Sequence, residues 1–218
     1  MATIAGLYAL TPDLLDTDEL IARVTAAISG GAAAVQYRSK IASPPLRRAQ
    51  ALALRDLCAA RGVTFIVNDD VNLAYAVDAD GVHLGREDTP LASARQRLGS
   101  TAIIGASCYD SLERAAAAVA AGADYIAFGS FFPSMVKPGA ARVESSLLTA
   151  AKARWSVAAV AIGGITPATA PLLIAAGADA LAVITAVFGA RDVEAAAKAF
   201  RDAFDAATPK PRQRAGMT

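Results

Sequence analysis

The chain has 218 residues, 55% of them hydrophobic and 19% charged, with 21 basic against 20 acidic side chains and a mean hydropathy of +0.39. That is enough chain to bury one sizeable core, and it is too apolar for a disordered polymer and too evenly charged to track nucleic acid through a basic stripe. Every apolar run meets Arg, Asp, Pro or Gly before it reaches membrane-spanning length, so neither a nucleic acid nor a membrane is expected as a partner.

Ile4 to Leu10 predicts a strand, closed by Thr11-Pro12. An acidic start (Asp16, Asp18, Glu19) then suits a helix N-terminus, and Leu20, Val24, Ala27 and Ile28 fall on one helical stripe. Gly30-Gly31 ends that helix and delivers a second strand from Ala33. Pro44-Pro45 starts a helix to about Arg61, and Gly62 precedes a strand from Val63 to Val67 that exits at Asn68-Asp69-Asp70. After a short helix near Leu73 to Val77, Asp80 to Leu84 reads as a strand leaving through Gly85-Arg86-Glu87-Asp88, and Pro90 opens the next helix. Ala102 to Ala106 forms a strand ending at Ser107, and Asp110 with Glu113 has the spacing of a capping box for the Ala-rich helix that follows. Tyr125 to Phe128 is a strand opening into the longest loop, Gly129 to Arg142. Glu144 to Ala153 predicts a helix, Ala158 to Ile162 a strand, Thr166-Pro167 a cap and first turn, and Asp179 to Ile184 the last strand before a helix to about Ala206.

Ala120-Ala121-Gly122-Ala123-Asp124 is echoed by Ala175-Ala176-Gly177-Ala178-Asp179, with looser copies before Asp80 and Ala34. Each marks the joint where a helix ends and a strand begins. Eight such alternations, none with a conspicuously polar edge strand, predict a single (β/α)₈ barrel over residues 1–207. Residues 208–218 contain Lys210, Arg212 and Arg214, two prolines and no acid, which predicts a disordered basic tail and leaves a body of 18 basic against 20 acidic residues. The start of the chain lacks the basic region and apolar core of a signal peptide. Only two cysteines occur, Cys58 and Cys108, which argues against a disulfide framework and for a reducing, cytoplasmic setting; one histidine argues against a zinc cluster.

In a barrel the strand C-termini open on one face, and there the polar residues gather: Gln36, Arg38, Lys40, Asn68, Asp69, His83, Asp88, Ser107 and Ser130. If the second strand continues, Gln36, Arg38 and Lys40 point to one side, a fork, a point charge and a neutral amide suited to a polyanion such as a phosphate ester or pyrophosphate. Asp69 and Asp88 fit beside them if a cation such as Mg²⁺ mediates, whereas the bland reading has Asp69 and Asp70 capping the following helix. Ile162-Gly163-Gly164-Ile165-Thr166-Pro167, with Val183-Ile184-Thr185 after the last strand, predicts a second anion site made of backbone N–H groups.

Taken together, Gln36-x-Arg38-x-Lys40, Phe65 to Asp69, Gly81 to Gly85 with Asp88, Gly105-x-Ser107, Pro133 to Lys137 and Ile162 to Ile165 resemble the thiamine phosphate synthase family, in family order across almost the whole chain. The resemblance implies joining of 4-amino-5-hydroxymethyl-2-methylpyrimidine diphosphate to hydroxyethylthiazole phosphate by a dissociative, Mg²⁺-dependent route. Gln36, Arg38, Lys40, Asn68 and Ser107 are then expected to hold the pyrimidine diphosphate, and Asp69 and Asp88 the metal. Ser134 and Lys137 reach the phosphates, and Gly164, Ile184 and Thr185 receive the thiazole phosphate. Arg38, Lys40, Ser107 and Lys137 carry the catalytic roles, and His83 and Cys108 none. Two positions depart from the family pattern: Val136 stands where a second threonine is common, and Asp70 where a basic residue is frequent. The alternatives are a thiazole tautomerase, for which a histidine is expected near Cys108, and a non-catalytic thiamine-phosphate-binding barrel. A homo-oligomer is left open.

Overall fold

The computed structural model describes residues 4–133 and 142–207. Strands Gly6–Leu10 (β1), Ala32–Tyr37 (β2), Thr64–Asn68 (β3), Gly81–Leu84 (β4), Ile103–Tyr109 (β5), Tyr125–Phe128 (β6), Ala158–Ile162 (β7) and Ala180–Val183 (β8) pair in parallel in chain order, and β8 returns to β1 to close the barrel. The predicted barrel is thus present, with all eight alternations. Helices Thr17–Ser29 (α1), Pro44–Arg61 (α2), Val71–Ala76 (α3), Leu91–Leu98 (α4), Leu112–Ala120 (α5), Ser146–Lys152 (α6), Ala170–Ala175 (α7), Thr185–Phe188 (α8) and Val193–Ala207 (α9) surround it. Among the described residues no helix is long and apolar enough to cross a membrane.

The two-residue period of each strand divides the core in two. Leu7, Ala9, Val35, Tyr37, Phe65 and Val67 face outward and are buried under the helices with Leu20, Val24, Leu54 and Phe200. Tyr8, Leu10, Ala34, Ile66, Tyr125, Ala127 and Val160 face inward and fill the barrel. Small alanines beside two tyrosines suit so narrow an interior, which side chains must plug without voids.

The repeated Ala-Gly-Ala-Asp joints have a further purpose. Asp80, Asp124 and Asp179, each just ahead of a strand, turn a carboxylate oxygen back to accept the backbone N–H of Phe65, Ile104 and Ala159 at the start of the preceding strand, at 2.7 Å in all three cases. Arg95 and Lys152 then pair with Asp124 and Asp179 at 2.6 and 2.8 Å. These charge-assisted bonds lock consecutive βα units at the N-terminal end of the barrel, away from the polar face.

Several local expectations need correction. β2 stops at Tyr37, so Arg38 and Lys40 do not extend the alternation of Gln36; Arg38 is in irregular chain and Lys40 begins a bend. Ser111, not Asp110, caps α5: its hydroxyl oxygen accepts the Arg114 N–H at 3.1 Å. Thr166-Pro167 forms a separate turn and α7 begins at Ala170, while the last helical stretch is divided into α8 and α9. β5 runs on through Ser107 to Tyr109, with an irregularity in register against β6 between them.

Candidate active site

The strand C-termini open into a cavity of about 990 Å³ whose walls include Gln36, Arg38, Lys40, Asn68, Asp69 and Asp88. Ser107, Gly164, Ile184 and Thr185 line the same space, so the closure of the barrel gathers ten of the twelve predicted site residues. The other two, Ser134 and Lys137, lie outside the described residues, as do Val136 and the basic tail.

Arg38 and Lys40 are held at the mouth by the loop that follows β1. Thr11 donates its hydroxyl to the Arg38 carbonyl and accepts the Arg38 N–H, both at 2.9 Å. Asp13 accepts the Lys40 N–H at 2.6 Å and lies 3.5 Å from the Arg38 guanidinium. In sequence Thr11 marks only the close of a strand; the signal for its further role is its position at the exit of the adjacent strand in a closed barrel.

Asp69 and Asp70, alike in sequence, separate completely in the structure. Asp70 is the N-cap of α3, its carboxylate accepting the Leu73 N–H at 2.8 Å, which explains an acid at this position. Asp69 takes a left-handed backbone, φ 63°, and its N–H donates to the His83 carbonyl at 2.8 Å. This turns its carboxyl towards Asp88, whose Oδ2 accepts the Gly85 N–H at 2.6 Å. Loss of hydration, then the hydrogen bond and the repulsion from Asp88, push Asp69 up to about 6 from an ordinary 3.8, while Arg38 pulls more weakly the other way. Two facing carboxyls with only Arg38 weakly offsetting the charge of one are a pair that a cation would complement. Among the described residues no group of three or more His, Cys, Asp or Glu is arranged to hold a metal by itself. Two hard oxygen donors with open positions suit Mg²⁺, which completes its shell with water and phosphate oxygens.

Across the cavity, Gly163 and Gly164 follow β7 with φ of 104° and 63°. A β-carbon on Gly163 would strike Ser130, and one on Gly164 the backbone of Phe132 and Pro133, so this turn is bare because the loop after β6 packs on it. Beside it, the chain leaves β8 through Ile184 and enters α8 at Thr185. Gly163, Gly164, Ile184 and Thr185 thus line the cavity on its β7–β8 side, and the Gly-Gly turn lies across the barrel from Asp69 at the exit of β3.

The floor is polar where an apolar plug would suffice. Gln36 is 2% exposed and donates through Nε2 to the Tyr8 hydroxyl at 2.7 Å; that hydroxyl lies 3.0 Å from the Tyr125 hydroxyl. Tyr125 in turn lies 2.9 Å from His83 Nδ1, and His83 Nε2 lies 2.9 Å from the Ser107 hydroxyl. Burial raises the pKa of both tyrosines above the ordinary value. Cys108 faces away, buried, its thiol pushed up to about 12 by loss of hydration, as is that of Cys58. At the rim, Arg86 and Arg114 flank the Tyr109 ring at 6.0 and 5.8 Å, three residues that sequence reading did not single out for the site.

Residues 7–187 match the family described as thiamine monophosphate synthase. The chain is 54% identical over 203 residues to the thiamine-phosphate synthase of Chromobacterium violaceum, covering 93% of this chain and 98% of that protein. It is 55% identical over 192 residues to that of Thiobacillus denitrificans, covering 88% and 91%. Its fold superposes on a thiamine phosphate pyrophosphorylase from Pyrococcus furiosus with a TM-score of 0.84 at 37% identity, over 93% of this chain and 96% of that one. The chain therefore belongs to the thiamine monophosphate synthase family and is a transferase.

Proposed function

We propose that the protein joins 4-amino-5-hydroxymethyl-2-methylpyrimidine diphosphate to hydroxyethylthiazole phosphate, releasing pyrophosphate and thiamine phosphate, with Mg²⁺ as its cofactor. The observation that carries this reading is one cavity with two dissimilar anion-receptive walls: a carboxylate pair beside Arg38 and Lys40 on one side, and the bare Gly163-Gly164 turn with Thr185 on the other. A diphosphate with its metal suits the first wall and a phosphate monoester the second. When bound, Mg²⁺ supplies Lewis-acid stabilisation of the charge that builds on departing pyrophosphate.

Asp69 and Asp88 hold the metal in this reading, and Arg38 and Lys40 neutralise diphosphate oxygens. Lys137 and Ser134 act on the same phosphates. Gln36, Asn68 and Ser107 orient the aminopyrimidine so that its exocyclic carbon faces the thiazole nitrogen, while Gly164, Ile184 and Thr185 fix the thiazole phosphate. The bond to pyrophosphate breaks first, the electron-rich ring carries the cation, and the thiazole nitrogen supplies the electron pair of the new C–N bond. No protein nucleophile is required, which accords with the buried Cys108. Unpaired, buried cysteines also accord with a cytoplasmic setting.

The test is release of pyrophosphate from the two synthetic substrates with and without Mg²⁺. Turnover that needs all three components is expected. Isomerisation of a thiazole carboxylate phosphate with no pyrophosphate would point to a tautomerase instead, and binding of thiamine phosphate without turnover to a non-catalytic barrel.

A further inference from the structure

The hydrogen bonds beneath the cavity form one chain that crosses the barrel interior through five strands: Gln36 on β2, Tyr8 on β1, Tyr125 on β6, His83 on β4 and Ser107 on β5. Its middle is deeply buried, Tyr8 and Tyr125 each being 1% exposed among Ile66, Ile103 and Val160. Phenylalanine would fill both places without two hydroxyls to satisfy, so packing alone does not account for tyrosine. The sequence also makes room for it. A β-carbon at Gly105 would overlap the Tyr125 ring, so the glycine two residues before Ser107 is what lets the ring lie there. Tyr125 stacks on His83 with ring centres 5.5 Å apart and planes at 21°, and meets Tyr8 edge-on at 84°.

One link, from Gln36, has a fixed donor and sets a polarity that the others can follow. The Gln36 amide donates to the Tyr8 oxygen, and the polarity that continues this bond turns the Tyr8 hydrogen to the Tyr125 oxygen 3.0 Å away. In that polarity Tyr125 donates to His83 Nδ1, the neutral imidazole carries its proton on Nε2, and Nε2 donates to the Ser107 oxygen, each across the 2.9 Å that separates the pair. The Ser107 hydrogen is then free to turn to the cavity that Ser107 lines. We propose that Tyr8, Tyr125 and His83 are positioning residues that hold Ser107 as a hydrogen-bond donor, their polarity set by Gln36, so that the serine engages an acceptor atom of the pyrimidine substrate. This rests on the substrate assignment above for its last step only. Gln36 and Ser107 touch the same ligand in that assignment, and the buried chain ties their geometries together.

His83 is the only histidine in the chain, so in a tag-free preparation its two ring nitrogens are read without ambiguity by long-range ¹H–¹⁵N correlation at pH 8. The Nε2–H tautomer is expected in the parent; the Nδ1–H tautomer would overturn the proposal. Tyr125→Phe, isosteric and without the donor to Nδ1, should mix the tautomers and lower kcat with the pyrimidine diphosphate about tenfold, the loss of one oriented hydrogen bond. KM for the thiazole phosphate should stay unchanged. Tyr8→Phe cuts the link to Gln36 but leaves Tyr125 on His83, and should cost less. In a Ser107→Ala background Tyr125→Phe should cost nothing further; additive losses, or an unmixed tautomer in Tyr125→Phe, would show that the hydroxyl does not act through Ser107. If the parent fails to turn over the two substrates, the substrate assignment falls while the tautomer measurement still decides the relay.

Discussion

Replacing Asp69 by asparagine should make the metal-free protein more stable while removing its response to Mg²⁺. Asparagine tolerates the left-handed backbone at φ 63° almost as well as aspartate, so the substitution deletes a charge without straining the turn. It also keeps a donor that can face Asp88. In the parent, Asp69 takes up its proton near pH 6, against 3.8 for an ordinary aspartate, so the folded protein binds more protons than the unfolded chain between those values. The Asp69 contribution to metal-free stability therefore rises as pH falls from 7 towards 4, and the cost of ionising this carboxyl is fully felt above pH 6. Two pKa units correspond to nearly 3 kcal/mol; because one side of Asp69 is open to solvent, about 1 kcal/mol is a fair expectation. For a chain of this size that is roughly 2–4 °C in Tm. Thermal unfolding in EDTA at pH 7.5 and pH 4.5 provides the assay. Asp69→Asn should melt above the parent at pH 7.5, and the advantage should vanish at pH 4.5. Added Mg²⁺ should raise the parent's Tm at pH 7.5 and progressively less below pH 6, as protons compete for the carboxylate, but barely move the variant. A variant that melts lower than the parent in EDTA at pH 7.5 would mean that Asp69 is a net stabilising partner of Arg38, and the argument for a cation-deficient pair would fail.

Arg38→Ala should weaken use of the pyrimidine diphosphate by about 1.5–3 kcal/mol, roughly ten- to a hundredfold in kcat/KM, with little change towards the thiazole phosphate; equal losses towards both would point to collapse of the loop held by Thr11 and Asp13. Gly105→Ala forces a methyl into the Tyr125 ring and should cost about 1–3 kcal/mol in chemical denaturation, with a fall in kcat in the fraction that remains folded. Asp124→Asn, which weakens the bonds to the Ile104 N–H and to Arg95 at the opposite end of the barrel, should lower Tm by several degrees and leave kcat at 25 °C untouched; a matching drop in kcat would contradict the separation of the two ends.

The architecture was legible because the helix-end joints recur and because each strand is a short apolar run between turn residues. Tyr125 to Phe128 and Ala158 to Ile162 were read to the residue, as continuously buried parallel strands should be. The carboxylates and the Gly-Gly turn were legible too, since residue type and place at a strand exit suffice. What the sequence concealed depends on closure. Whether Asp69 or Asp70 caps α3 is a matter of one backbone angle, not of composition. Arg38 leaves the strand because Thr11, 27 residues away, claims both of its backbone groups. Tyr8 and Tyr125 lie within predicted strands with nothing to mark their hydroxyls; these meet across 117 positions, and only the closed barrel brings them together.

Aspartate shows how one residue type is put to opposite ends by position in this fold. At the N-terminal end of the barrel, Asp80, Asp124 and Asp179 each accept an N–H bond from a neighbouring strand, and two of them also pair with a base, so their charge is matched and contributes to stability. At the C-terminal end Asp69 faces another acid, in a left-handed turn, with its charge opposed by Asp88 and only weakly eased by Arg38. The joints at one end make the other tolerable: a barrel locked unit to unit can hold two carboxyls together that would otherwise separate, and can bury a polar chain of five residues across its centre. Stability therefore need not track activity across variants of this chain. Substitutions at the joints should move Tm with the chemistry unchanged, and Asp69→Asn at the mouth should move the chemistry while Tm holds or rises, a dissociation that a site stabilised by its own contacts would not produce.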